Sequence, residues 1–298
     1  HPKVDEGLPQ YNLAYAVNQK DSTPLFYELY DGSVIDNTEL EIMLEEAKEF
    51  GHERLGVLMD RGYISEKNIK ALRSKGYEYI LMMKQNQKIC QEIIEEYGAA
   101  VQSLEGYYIG EHGVYGTTVK KELYGQEANI HVYYDDIRAS EEKIALMSRY
   151  ETWEKEIEKK VEKKLATEGE MKKYRKVFKL KYDQNGYLVA YQRNSRYIKE
   201  EIRNLGFFFI ITSEDMSASK ALDIYRGRDN IEKMFRSLKS GIDFNKARVH
   251  TTESLKSKVF VTFIAMIIRN ELFQKAEVLR KKNRKAYTVP GMISELEN

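Results

Sequence analysis

The sequence predicts an α/β protein in which a mixed sheet, flanked by helices, is interrupted by a mostly β insertion that carries one long helix. Over residues 54–84, RLGVLMDRGY, SEKNIKALRSKG and YEYILMMK read as strand, helix and strand, an order typical of a βαβ crossover in a partly parallel sheet. Residues 105–136 then switch to short tyrosine-rich segments broken by glycines. That composition favours antiparallel strands, so the chain is expected to change architecture there.

The N-terminal elements follow from local patterns. The segments YNLAYAVNQ (11–19) and PLFYELYDG (24–32), joined by a polar linker, predict a β-hairpin. TELEIMLEEAKEFG (38–51) has helical periodicity and ends at a glycine. In the helix of the crossover, Ser65 is a plausible N-cap and Gly76 a plausible C-cap.

The later elements alternate between charged helices and apolar strands. In chain order they are a charged helix from about residue 140 to residue 168, a hairpin over 176–194, a helix over 195–206 and a buried strand over 207–215. Asn185 and Gly186 supply the turn of the hairpin, and Ser217 can cap the helix after the strand. The predicted division is therefore a core in two parts, 1–91 and 206–298, around an α+β insertion over 92–205.

Composition limits the class of protein. The 298 residues are 42% hydrophobic and 32% charged, which suits a soluble globular protein. Cys90 is the only cysteine, so an internal disulfide framework is excluded and a reducing compartment is favoured. The run VFVTFIAMII (259–268) is too short to span a bilayer and predicts a core helix.

The net charge of +1 conceals an uneven distribution. Residues 226–285 hold 16 Lys and Arg against 6 Asp and Glu, a local charge of +10. A basic C-terminal third favours a polyanionic partner such as nucleic acid. An ordinary basic surface is the alternative.

The stretch YRGRDNIEKMFRSLKS (225–240) has a regular spacing of polar residues. Tyr225, Arg228, Glu232 and Lys239 are separated by three, four and seven positions. At 3.6 residues per turn, this spacing places all four on one stripe of a helix. A solvated face with an ion pair between Arg228 and Glu232 is the alternative interpretation.

A second carboxylate follows an apolar strand. Asp60 ends the run VLM, and functional groups gather at the carboxyl ends of strands in α/β sheets, although a turn or helix-cap role is the alternative. Asp60 and Glu232 come from different elements, and such carboxylates can hold Mg²⁺ or Mn²⁺. In a two-metal site one ion activates the attacking oxygen and the other stabilises the leaving oxygen.

Basic residues also follow the stretch 225–240. They lie in FNKARVHTTESLKSK and are Lys246, Arg248, His250, Lys256 and Lys258. Together with Arg228 and Lys239, they are candidates for binding the phosphates of a nucleic acid. A solvated loop is the alternative.

These motifs resemble the insertion-sequence DDE transposases. YRGRDNIEKMFRSLKS matches the family signature Y-x2-R-x3-E-x6-K at each fixed position. VLMDRGYISEKNI resembles the second-aspartate segment, GFFFIITSEDMSASKALDIY the strand and helix start before the signature, and HTTESLKSKVFVTFIAMIIRN the C-terminal helix. The resemblance covers residues 1–85 and 206–275.

The resemblance implies a ribonuclease H-like core with an inserted domain, and metal-dependent DNA cleavage and strand transfer at insertion-sequence ends. Asp60 would be the second aspartate and Glu232 the glutamate, holding two Mg²⁺ or Mn²⁺ ions. The DNA contacts implied are Tyr225, Arg228 and Lys239, with Arg248 and His250 as further candidates. The implied partner is double-stranded DNA, bound as a dimer in the bacterial cytoplasm at the nucleoid, with no membrane association.

One departure from the family pattern concerns the first aspartate, which should end a strand before the hairpin that begins near Tyr11. Asp5, Asp31 and Asp36 lie in a loop or helix start instead. We therefore expect the chain to begin after that aspartate, to lack an N-terminal DNA-binding domain, and to be inactive alone with weak or no metal binding. The alternatives are a DNA-binding remnant or inhibitor of the full-length transposase, and a nuclease that cuts without strand joining.

Overall fold

The computed structural model of the protein describes most of the chain. The described residues are 11–18, 23–31, 45, 48–49, 51, 56–59, 64–103, 105–162, 169–227, 249, 251–283, 289 and 291. The chain divides into two compact units, unit 1 formed by 1–78 with 222–298 and unit 2 formed by 79–221. Strands and helices occur in both units, which confirms the predicted α/β class.

Strands and helices alternate along much of the described chain. The strands are β1 (Tyr11–Val17), β2 (Pro24–Asp31), β3 (Gly56–Met59), β4 (Glu78–Met82), β5 (Tyr108–Ile109), β6 (Val114–Leu123), β7 (Gln126–Tyr134), β8 (Phe178–Tyr182), β9 (Leu188–Arg193) and β10 (Phe207–Thr212). The α-helices are α1 (Glu66–Ser74), α2 (Lys88–Ser103), α3 (Asp136–Glu162), α4 (Ser195–Asn204), α5 (Ala218–Arg226) and α6 (Thr252–Asn283).

In unit 1, the predicted N-terminal hairpin is confirmed. Strands β1 and β2 pair antiparallel, and α6 packs on β2. The expectation for Asp31 was wrong, since it is the last residue of β2 and pairs with Tyr11 rather than lying in a loop. Tyr27 of β2 contacts Phe263 of α6, with ring centroids 5.0 Å apart, and Asn270 donates a hydrogen bond to Thr23 Oγ1 at 3.2 Å. Of the helix predicted over 38–51, the described residues Glu45, Lys48 and Glu49 are helical, and most of the others lie outside the described residues.

Helix α6 contains the apolar run predicted to form a core helix. It buries Val259, Phe263 and Met266, but Val261 and Ile268 are more than half exposed. The run therefore buries only one side of the helix. Among the described helices, none is both long enough and apolar enough to cross a membrane.

The larger sheet has six strands in the order β3-β4-β10-β7-β6-β5. Strand β10 pairs antiparallel with β4 and with β7, and β6 pairs antiparallel with β7 and with β5. All six residues of β10, FFFIIT, are buried. A strand with neighbours on both edges and both faces covered needs a continuous apolar run, which is what the sequence has. The parallel crossover predicted over 54–84 stays a prediction.

A second core in unit 2 lies between α3, the hairpin β8–β9 and α4. We call it the hairpin core, and its buried residues are Leu146, Tyr150, Ile157, Met171, Tyr174, Val177, Phe178 and Leu188. The predicted hairpin turn is confirmed, since Gly186 has a φ of 80° and Asp183 Oδ1 accepts hydrogen bonds from the backbone N–H groups of Asn185 and Tyr187, each at 2.9 Å.

Two helices differ from the sequence predictions. Helix α3 begins at Asp136, four residues earlier than predicted, and is described as far as Glu162. Helix α2 was not predicted, and it runs across the expected start of the insertion at residue 92. The predicted domain boundaries stay predictions.

Candidate active site

Described elements flank Asp60 in the sequence on both sides. Strand β3 ends at Met59, directly before Asp60, and Ile64, four residues later, is buried. Ser65 then caps α1 through a hydrogen bond from Asn68 N–H to its Oγ at 3.2 Å, which confirms the predicted cap. Asp60 itself lies outside the described residues. The chain therefore has a short connection between β3 and α1 in which Asp60 takes the first position.

Helix α5 ends within the signature stretch and contains its first two residues, Tyr225 and Arg226. The predicted cap is confirmed, because Lys220 N–H donates to Ser217 Oγ at 3.2 Å and Ala221 N–H donates to Ser217 O at 3.0 Å. Ala221, Leu222 and Tyr225 are buried and share one face of the helix, because they lie at i, i+1 and i+4.

Of the seven residues that the family resemblance assigns to the site, Tyr225 is the one within the described part of the chain. Its side chain is 5% exposed, so little of the ring is available to a ligand. The other six predicted site residues lie outside the described residues; they are Asp60, Arg228, Glu232, Lys239, Arg248 and His250. The predicted site stays a prediction for all seven.

The start of α6 carries two of the predicted phosphate-binding lysines. Thr251 caps the helix, since Ser254 N–H donates to Thr251 Oγ1 at 3.1 Å. Lys256 is exposed and Lys258 is half-buried in the following turn. These two side chains therefore reach solvent near a helix N-terminus in unit 1.

The described acidic and imidazole groups do not themselves make a metal site. Within the described ranges, no group of three His, Cys, Asp or Glu side chains is arranged to hold a metal ion. His131 is buried in β7, where it hydrogen-bonds with Thr118 Oγ1 and Thr212 Oγ1. Burial lowers the pKa of His131 to about 4 and raises that of the Cys90 thiol to about 12. A neutral, enclosed imidazole and an inert thiol are structural groups.

A comparison with known protein families gives a match whose range includes the candidate site. The family model described as the transposase DDE domain matches residues 2–268. This range contains every site residue predicted from the sequence. No curated protein matches the chain.

Proposed function

The chain belongs to the transposase DDE domain family, and from that membership we propose that it cuts DNA at the ends of an insertion sequence and joins those ends to a target. The family match over 2–268 carries this proposal. It is supported by the position of Asp60 directly after β3 and by the fixed spacing of Tyr225, Arg228, Glu232 and Lys239.

The fold proposed for the catalytic part is ribonuclease H-like. The hairpin β1–β2 and the order β3, α1, β4 support it, as does the start of the signature in a capped helix after the apolar strand β10. The region between, proposed as the insertion over 92–205, contains antiparallel strands and the long helix α3.

We propose Asp60 and Glu232 as the metal-binding carboxylates. Hard carboxylate oxygens are the ligands that Mg²⁺ and Mn²⁺ prefer, so the donor chemistry fits. A bound pair of such ions supplies an activated attacking oxygen and a stabilised leaving oxygen for in-line displacement at phosphorus. The role proposed for Asp60 and Glu232 is to supply carboxylate oxygens that would hold those ions. Support for Asp60 comes from its place in the sequence, directly after β3 and before α1.

The basic residues would orient the DNA. Arg228 and Lys239 share the predicted stripe with Glu232, so they are placed to bind phosphates beside the cleaved bond. Arg248 and His250 extend that contact. For Tyr225, which is buried, contact with DNA requires its ring to become accessible when DNA binds.

A dimer forms on the DNA in this proposal, and the mass of the DNA complex by light scattering tests it.

Nicking of a plasmid that carries the element's ends tests the catalytic assignment. It is assayed in Mg²⁺ with the 298-residue chain and with any longer native form of the protein, because only two of the three family carboxylates are assigned within this sequence. In whichever form cuts, Asp60→Asn and Glu232→Gln should each abolish nicking while leaving DNA binding intact. Glu271→Gln, at an exposed position of α6, is the matched control and should nick normally.

The result also separates the rival functions. Nicking that persists in Glu232→Gln overturns the catalytic assignment. DNA binding without cleavage in either form supports a DNA-binding remnant or an inhibitor. Cleavage without joining of the ends to a target plasmid supports a nuclease.

A further inference from the structure

A concentration of positive charge occurs in the sequence outside the signature stretch. Residues 172–181, KKYRKVFKLK, contain six Lys and Arg and no Asp or Glu. They lead into and form strand β8, in unit 2. We propose that this stretch, the basic segment, is a second surface that binds the phosphate backbone of double-stranded DNA. The inference rests on the proposed function, because its ligand is the DNA on which that function acts.

The alternation of β8 turns its lysines outward. Phe178 is fully buried in the hairpin core, whereas Lys179 and Lys181 are exposed. Their cross-strand neighbours in β9 are Gln192 and Ala190. No carboxylate therefore lies directly opposite either lysine, and this face of the two-stranded sheet is positively charged.

The turn before β8 repeats the pattern. Met171, Tyr174 and Val177 are buried in the hairpin core at intervals of three residues. Lys172 and Lys176 lie between them and are exposed. The apolar anchors hold the backbone in place, so these lysines are presented by an ordered turn.

Three carboxylates of α3 are engaged on the side of the hairpin that packs against this helix. Glu154 of α3 pairs with Arg193 at the end of β9. Glu156 pairs with Lys173 at 3.1 Å, and Glu158 accepts a hydrogen bond from a tyrosine of β9. Glu154 and Glu156 thus neutralise positive charge on the side of the hairpin that packs against α3, which we call the inner rim. They do not compensate the lysines on the opposite face.

Four lysines carry that outer charge. Lys172, Lys176, Lys179 and Lys181 form no ion pair with any residue that the structure describes. Residues two apart on one face of a β-strand are separated by roughly 6.6 Å. Along the axis of a DNA duplex, each phosphate of one strand takes up about 3.4 Å, so two phosphates cover a similar length. Flexible lysines with exposed ammonium groups suit a row of phosphates, which they bind as point charges without reading sequence.

Duplex DNA of random sequence is the probe, because phosphate contacts do not depend on sequence. The full chain carrying Lys→Gln at positions 172, 176, 179 and 181 is compared with a matched control that carries Lys→Gln at 143, 155, 159 and 199. The control lysines are exposed on α3 and α4, so both variants lose the same charge. Binding of a 30-base-pair duplex is measured over a salt series.

The basic-segment variant should bind about tenfold or more weakly at low salt, and its log–log salt slope should fall by about 0.9 for each phosphate that the protein no longer neutralises. The control should stay within about twofold of the wild type. If the fourfold variant does not fold, Lys179→Glu alone is compared with Lys199→Glu.

Each other outcome has a definite meaning. Wild-type protein that binds no DNA overturns both the proposed function and this inference. Wild-type protein that binds, with equally weakened binding in the basic-segment variant and the control or with unchanged binding in both, overturns only this inference. Tighter wild-type binding to duplex RNA, abolished in the same variant, assigns the surface to RNA and also overturns it.

Discussion

Two packed regions of unit 2 bury their strands in different ways. Strand β10 lies between β4 and β7, and all six of its residues are buried. The hairpin β8–β9 is an isolated pair that packs one face against α3 and leaves the other exposed. The difference is visible in their sequences, since the first five residues of FFFIIT are apolar while FKLKY alternates.

The two regions also place their polar groups differently. In the sheet, His131 is fully buried between Thr118 Oγ1 at 2.8 Å and Thr212 Oγ1 at 2.9 Å. Around the hairpin core, tyrosine hydroxyls donate to carboxylates at the rim, as Tyr191 does to Glu158 at 2.8 Å. The sheet, which we call the frame, thus buries both its central strand and the polar groups around His131. The hairpin has a small aromatic core and one exposed face that a ligand can reach.

The largest effect should come from the centre of the frame. Phe209 is fully buried in β10, and Phe209→Ala should lower the free energy of unfolding by about 3–5 kcal/mol, because it removes the ring and leaves a cavity. Urea unfolding measures this change. Phe273→Ala, at a position that is 44% exposed, should change stability by only about 0.5 kcal/mol. Equal effects at the two positions would show that β10 is not a closed strand.

Much of the fold is predictable from the sequence, because several of its signals are local. The apolar run of β10, the Asn185-Gly186 turn and the Ser65 cap each depend on a few adjacent residues. Helix α2 is not among the predicted elements, although Cys90, Ile93 and Ile94 have helical spacing. The predicted boundary of the insertion, at residue 92, falls within this helix. Its Gly98 is explained only by packing, since an added Cβ would lie 3.2 Å from the ring of Phe207.

The buried histidine should make the frame sensitive to pH. Burial lowers the pKa of His131 from 6.5 to about 4, so the unfolded chain takes up the proton first. Stability is then complete above pH 6.5 and falls by up to about 3 kcal/mol as the pH is lowered towards 4. His131→Gln should flatten that part of the curve of unfolding free energy against pH, whereas His112→Gln should not. An unchanged curve in His131→Gln would contradict the assignment.

Two glycines, Gly206 before β10 and Gly186 in the turn of the hairpin, form a matched pair. Gly206 and Gly186 both have a φ of 80°, so alanine is strained by about 1 kcal/mol at either. A Cβ on Gly206 would also lie 2.6 Å from Cβ of Ala139 and 2.8 Å from Asp135 O, while one on Gly186 meets nothing within 4 Å. Gly206→Ala should therefore cost about 1–2 kcal/mol more than Gly186→Ala in thermal unfolding. Equal costs would mean that α3 and the start of β10 separate easily.

The sequence could name the candidate site but not the buried network or the basic face. Asp60 and Glu232 stand out through a strand end and a spacing, both of which are local, although their positions lie outside the described residues. His131 depends on threonines 13 and 81 positions away, which no local pattern connects. The basic run 172–181 was visible in the sequence, but its outward direction follows from the burial of Phe178 and from the carboxylates of α3.

The smallest effect should come from the rim of the hairpin. Arg193 and Glu154 form an ion pair whose side chains are 42% and 25% exposed, so water and salt screen much of their attraction. A double-mutant cycle with Arg193→Gln and Glu154→Gln should give a coupling of about 0.2–1 kcal/mol, and it should shrink when the salt is raised from about 0.1 M to 1 M because the Debye length falls from about 10 Å to 3 Å. The pair then serves mainly to neutralise the inner rim, while Phe178 and the tyrosines hold the hairpin. A coupling above about 2 kcal/mol that does not fall with salt would contradict this interpretation. The ion pair would then contribute more to the hairpin than its aromatic core does, whereas the sheet depends on its apolar strands.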